Sequence, residues 1–178
     1  MKTPIEKLRE VKAKAALGGG KEKIDKVHAK GKLTARERIE LLLDPGSFNE
    51  FNLLIKHKIG AAGDGILTGH GTIDGRVVCV FAHDTTVFGG SMGYMHGRKV
   101  YKIHEMALDM GVPIIGLNDS PGARVIRPDL AGSDNPYRIS DEKHAGLYFW
   151  SIHAVPESYL KSAPFLETAP AVPSTCRL

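Results

Sequence analysis

Residues 76–117 read RVVCVFAHDTTVFGGSMGYMHGRKVYKIHEMALDMGVPIIGL, and their order of patterns decides the fold. RVVCVFAHD is an apolar run with strand character. TTVFGGSMG is a glycine-rich turn. A helix follows over about residues 92–111, with Val100, Ile103, Met106, Ala107 and Met110 marking one face. Gly111 ends it, and Val112-Pro113-Ile114-Ile115-Gly116-Leu117 predicts a buried strand. Strand, turn, helix, strand is a βαβ unit, which makes the core α/β.

Upstream, Asp64-Gly65 precedes ILTGHGTI, and Asp74-Gly75 separates that run from RVVCVFAHD. Two apolar runs joined by Asp-Gly predict a β-hairpin. Before it the chain is helical. Residues 4–16 place Ile5, Leu8 and Val11 three apart among charges, a one-sided helix stopped by Gly18-Gly19-Gly20. A second charged helix runs from about Lys21 to Lys30. Thr34 and Glu37 form a capping-box pattern opening a helix over 35–43, which Asp44-Pro45-Gly46 closes.

The 178 residues suffice for one domain with a core. No apolar run approaches the ~20 residues that span a bilayer, so membrane insertion is not expected. The first twenty residues lack an apolar signal core, and Cys79 and Cys176 are too few and too far apart for a disulfide framework, which together point to the cytoplasm. Residues 1–40 hold twelve Lys/Arg against six Asp/Glu. That excess is either a patch for an anionic partner or a solvated helical face. Without interleaved aromatics or a binding motif, nucleic acid is not expected.

Two loops are candidate sites. Phe88-Gly89-Gly90-Ser91-Met92-Gly93 lies between strand and helix, where backbone N–H groups can meet a phosphate or thioester oxygen. The alternative is a simple tight turn; the dinucleotide fingerprint is absent. The second loop, Asn118-Asp119-Ser120-Pro121-Gly122-Ala123-Arg124, follows a strand end, where ligands sit in α/β folds. Arg124 there either pairs with a phosphate or joins a structural ion pair. His83, His96 and His104 lack metal-ligand spacing and read as ordinary core or surface histidines, so no metal is expected.

In order along the chain, KGKLTARERIELLLDPGSF, the GDG hairpin, TVFGGSMGYMHGRKV and GVPIIGLNDSPGAR resemble one family over roughly residues 5–146. These are the carboxyltransferase (beta) subunits of biotin-dependent acyl-CoA carboxylases of the propionyl-CoA carboxylase and methylmalonyl-CoA decarboxylase type. The resemblance implies a crotonase-like β-β-α superhelix, here incomplete and preceded by N-terminal helices. It divides the chain into an N-terminal helical segment (1–45), a partial acyl-CoA carboxyltransferase domain (46–146) and a tail (147–178). The implied reaction moves a carboxyl group between N1 of biotin and the α-carbon of an acyl-CoA. Biotin would arrive on a separate biotin carboxyl carrier protein or domain, with no covalent cofactor on this chain, and the subunit would form a homo-oligomer. The implied acyl-CoA-binding residues are Gly89, Gly90, Ser91, Gly93, Pro121, Gly122, Ala123 and Arg124. No catalytic residue is carried over, because the family's oxyanion donors come from a glycine pair in a CAGG motif that this chain lacks.

The tail departs from the family. Residues 163–178 hold three prolines and no periodicity, which reads as disordered. Read one frame over, however, each codon junction from Pro156/Glu157 to Ser174/Thr175 permits the family's GVIPQISAILGNCAGGAVY, nineteen residues in succession. The glycine pair falls at Pro170/Ala171 and Ala171/Val172. We therefore expect a frameshift near Gly146, leaving a chain inactive by itself; the alternative is a non-catalytic remnant retaining weak CoA binding or a subunit interface. Resequencing the gene past codon 146 should find a base gained or lost that restores the family text. An intact frame through a confirmed tail would contradict it.

Overall fold

The computed structural model describes residues 2–56 and 61–124. The expected frameshifted tail lies outside the described residues.

Three helices open the chain: α1 (Pro4–Ala16), α2 (Lys21–His28) and α3 (Ala35–Leu42). The Thr34–Glu37 capping box forms as expected, with Thr34 N donating to the Glu37 carboxylate at 2.7 Å and Glu37 N donating back to Thr34 Oγ1 at 3.3 Å. The His28 imidazole, 2.9 Å from that carboxylate, and Thr34 hold the Glu37 pKa down at about 2. A second box at Thr3 and Glu6, with Pro4 in the first turn, starts α1. The apolar stripe of α1 is a surprise. Ile5, Leu8 and Val11 are 64%, 49% and 53% exposed, so no described residue covers them.

A four-stranded sheet follows, ordered β1 (Asn49–Phe51), β2 (Ile66–Ile73), β3 (Arg76–His83), β4 (Ile114–Leu117). The first two pairings are antiparallel and β3–β4 is parallel. The expected hairpin is β2–β3. Asp74 and Gly75, at φ 50° and 75°, connect the paired Ile73 and Arg76, a left-handed two-residue turn matched to strand twist. Asp44 braces it, accepting from Thr72 Oγ1 at 2.5 Å and from Asp74 N and Gly75 N at 3.0 Å. Those donors, Thr72 foremost, lower its pKa.

Strand alternation splits the core into two layers. Leu67, Val78, Val80 and Ala82 face α3, packing on Ala35, Ile39 and Leu43. Ile66, Cys79 and Phe81 face α4 (Tyr94–Met110), packing on Val100, Ile103 and Ala107. Gly111 closes α4 in the left-handed conformation, φ 66°.

Two expectations need correction. Met110 is 50% exposed, because it sits in the last turn beyond the sheet. Residues 114–117 are half-buried, with Gly116 exposed: among the described residues β4 pairs only with β3 and is an edge. Gly116 is still constrained, since a side chain there would collide with the Phe81 ring. Among the described residues no helix is long and apolar enough to cross a membrane.

Ile39 is fully buried while Leu41, two residues on, is 74% exposed. Ile39→Ala should therefore cost roughly 2–5 kcal/mol of stability by urea unfolding, and Leu41→Ala no more than about 0.5 kcal/mol.

Candidate functional site

The two candidate loops, glycine-rich 88–93 and 118–124, meet at the C-terminal ends of β3 and β4. Met92 N donates to Gly122 O and Arg124 N to Met92 O, both at 2.9 Å, a parallel bridge that zips one loop to the other. Close approach demands glycine at two places. A Cβ on Gly90 would lie 2.5 Å from the Asp119 carbonyl oxygen, and one on Gly93 would strike the Arg124 guanidinium.

The eight expected residues thus come together but divide by orientation. Gly89, Pro121 and Ala123 form an exposed rim, with Gly122 half-buried among them at φ 103°. Gly90, Ser91, Gly93 and Arg124 are buried beneath it. The Ser91 hydroxyl donates to Phe88 O at 2.7 Å.

Of the two readings of Arg124, the structure shows the ion pair. Its Nη1 donates to Asp64 Oδ1 at 2.6 Å, Nη2 to Asp64 O at 3.1 Å and Ser91 O at 3.0 Å, and Nε to Ser91 Oγ at 3.1 Å. The Phe88 ring covers its face at 4.4 Å. With the head group so occupied, Arg124 ties the two loops together from below.

Asp64 does more than pair. It is fully buried at φ 51°, in the left-handed region between Gly63 and Gly65. Its Oδ2 accepts the His96 amide at 2.8 Å. The N-cap residue of α4, Gly93, offers no side chain, so Asp64 supplies the cap from a distant part of the chain.

Beside it lies a buried basic cluster. Lys99, only 2% exposed, donates to Ile66 O at 2.5 Å and Gly63 O at 3.3 Å, and burial pulls its pKa down to about 8. His96 is fully buried, its ring 4.9 Å from that of His83. Burial, then the neighbouring His83 and Arg124, push the His96 pKa down to about 3. Burial also lowers His83, against a weaker opposing pull from the Leu117 carbonyl. Neither ring nitrogen of His83, nor Nε2 of His96, has a partner of full hydrogen-bond geometry among the described residues.

His83 and His96 are therefore core residues, while His104 is half-buried with Nδ1 2.8 Å from Val100 O. Sequence reasoning missed Asp64 and Lys99. For Lys99 there was a signal: positions 96, 99, 100, 103 and 107 share one helical face. Asp64 gave none, since an Asp-Gly before a strand looks like any turn.

A cavity of about 350 Å3 opens between α4 and the segment after β1, lined by Asn52, Ile55, Met95, Arg98, Lys99, Tyr101 and Lys102 among others, so it borders the buried cluster through Lys99. No residue of the glycine-rich loops lines it.

Known proteins are similar to this chain in sequence and fold. The carboxyl transferase domain family matches residues 26–136, and the chain belongs to that family. It is 51% identical over 133 residues to the propionyl-CoA carboxylase beta chain of Roseobacter denitrificans, an alignment covering 70% of this chain and 26% of that protein. The methylmalonyl-CoA decarboxylase subunit alpha of Veillonella parvula is 49% identical over 129 residues, 68% of this chain and 25% of its own. The crystal structure of the transcarboxylase 12S hexamer with methylmalonyl-coenzyme A bound superposes with a TM-score of 0.74 at 36% identity, covering 85% of this chain and 30% of that one. The fold is accordingly a crotonase-like α/β fold. The chain spans about a quarter of the length of the curated relatives it matches.

Because the His96 pKa is near 3 in the folded chain and 6.5 is its ordinary value, unfolded protein takes up a proton that folded protein refuses. Stability should then fall as pH drops below about 6.5, by up to about 1.4 kcal/mol per pH unit. Urea midpoints at pH 6.5 and 5 should show this loss in wild type and a flatter response in His96→Asn; equal wild-type midpoints would contradict it.

Proposed function

We propose that this chain is the acyl-CoA side of a biotin-dependent carboxyltransferase, passing a carboxyl group between N1 of biotin and the α-carbon of a propionyl-CoA or methylmalonyl-CoA type substrate. The single observation that supports it most is the zipped pair of loops at the strand ends, whose exposed rim of Gly89, Pro121 and Ala123 presents backbone to a ligand. Backbone at a strand end suits a thioester, which offers a carbonyl oxygen and no charge to pair. The neighbouring Gly90, Ser91, Gly93, Gly122 and Arg124 hold the rim in place. The names of related proteins, including a methylmalonyl-coenzyme A complex, support the same substrate class.

In this reading biotin comes on a separate carboxyl carrier protein, and the subunit works as a homo-oligomer in the cytoplasm. The enolate oxygen that forms on the thioester needs paired N–H donors. The 178 residues carry no CAGG pair in frame, so as a separate polypeptide the chain would bind acyl-CoA without turning it over. The Ile5, Leu8 and Val11 stripe, which no described residue covers, favours a second reading, a non-catalytic remnant that keeps a subunit interface.

Calorimetric titration with propionyl-CoA and with CoA tests the binding claim. Propionyl-CoA should bind more tightly than CoA; equal affinity, or no heat from either, would contradict it. With acyl-CoA and carboxybiotin present, no carboxylated acyl-CoA should form, and its appearance would refute the claim of inactivity.

A further inference from the structure

We infer that Asp64 is the positioning residue for this thioester surface: through Arg124 and Ser91 it sets the gap between the two glycine-rich loops. The inference rests on the proposal that the rim receives a thioester, and it adds the group that gives the rim its shape.

Three elements converge on this one carboxylate. Oδ1 receives Arg124, from the loop after β4, and Oδ2 receives the His96 amide at the start of α4. Arg124 in turn holds both Ser91 oxygens, which belong to the loop after β3. Across the rim itself the loops are joined by backbone alone. Gly89, Pro121 and Ala123 are exposed, and the bridge between the loops is two backbone hydrogen bonds. Arg124 has no slack, wedged between Gly93 and the Phe88 ring. Phe88 is 40% exposed, at φ 50°, so the stack on Arg124 also orients an aromatic ring at the rim. Shift the carboxylate and the guanidinium must follow, carrying Ser91 and the rim with it.

Charge makes the arrangement all-or-none. Both partners are buried, Asp64 completely and Arg124 to 6% exposure. A single neutralised partner leaves the other as an uncompensated buried charge, which rearranges to find water or a new partner. Asp64→Asn keeps the shape of the side chain. It sets an N–H donor against either the Arg124 guanidinium or the His96 amide, so one of the two contacts is lost.

The test is the ratio of the CoA to the propionyl-CoA dissociation constant, measured by calorimetry on the 178-residue chain and checked for fold by circular dichroism. A purely structural defect weakens both ligands together; a positioning defect acts on the thioester alone. We expect wild type to favour propionyl-CoA, and folded Asp64→Asn to bind CoA as wild type does with the ratio fallen to about one. Arg124→Lys, which keeps the charge but not the fork, should behave the same way. A folded Asp64→Asn with the wild-type ratio would overturn the inference. If that variant does not fold, Ser91→Ala decides, since it leaves the Asp64–Arg124 pair in place and removes the Nε partner together with the hydroxyl's own bond to Phe88 O: a lowered ratio supports the inference and an unchanged one overturns it. Wild type that fails to distinguish the two ligands defeats the thioester reading itself, a result separate from either variant's.

Discussion

The buried pair of Asp64 and Arg124 is the constraint on which the functional end of the fold depends. It joins parts of the chain that secondary structure leaves independent: the entry to the hairpin, the N-terminus of α4 and both glycine-rich loops. Pairs of this kind contribute little net stability over a hydrophobic substitute, because both charges must leave water. Their contribution here is geometric. A guanidinium fork that meets four oxygens admits one arrangement, and the loops inherit it.

The sheet explains why the site lies where it does. With α3 on one face and α4 on the other, the apolar surface of β2 and β3 is consumed by packing. Among the described residues the strand ends, unlike those two faces, keep backbone exposed at Gly89, Pro121 and Ala123. Six of the nine buried polar residues among those described also gather at that end: Asp64, His83, His96, Ser91, Lys99 and Arg124. Each lone buried charge or orphaned ring nitrogen carries a cost. Their concentration under one rim, away from the purely apolar layers, is what a site held in a single shape requires.

Much of this was legible in the sequence where the signal is local. Asp74-Gly75 names its own turn type, Thr34 and Glu37 name a helix start, and the spacing of Val100, Ile103 and Ala107 names the buried face of α4. β1 escaped because three residues pairing with Thr68–His70 carry no periodicity of their own. That the two loops carry chemistry-bearing residue types was legible, but their meeting and the division of the eight residues into exposed rim and buried support were not. That division depends on Asp64, sixty residues before Arg124, and on collisions that only a folded backbone defines. The α1 stripe was legible as a stripe, but its lack of cover was not.

The central claim is that the zipped loops, and not the cavity beside α4, receive the acyl-CoA thioester. Amide chemical-shift mapping of the isotope-labelled chain during titration with propionyl-CoA addresses it most directly. The largest changes specific to propionyl-CoA, absent with CoA, are expected at Gly89–Gly93 and Gly122–Arg124. Thioester-specific changes confined to Asn52, Arg98, Tyr101 and Lys102 around the cavity would contradict it.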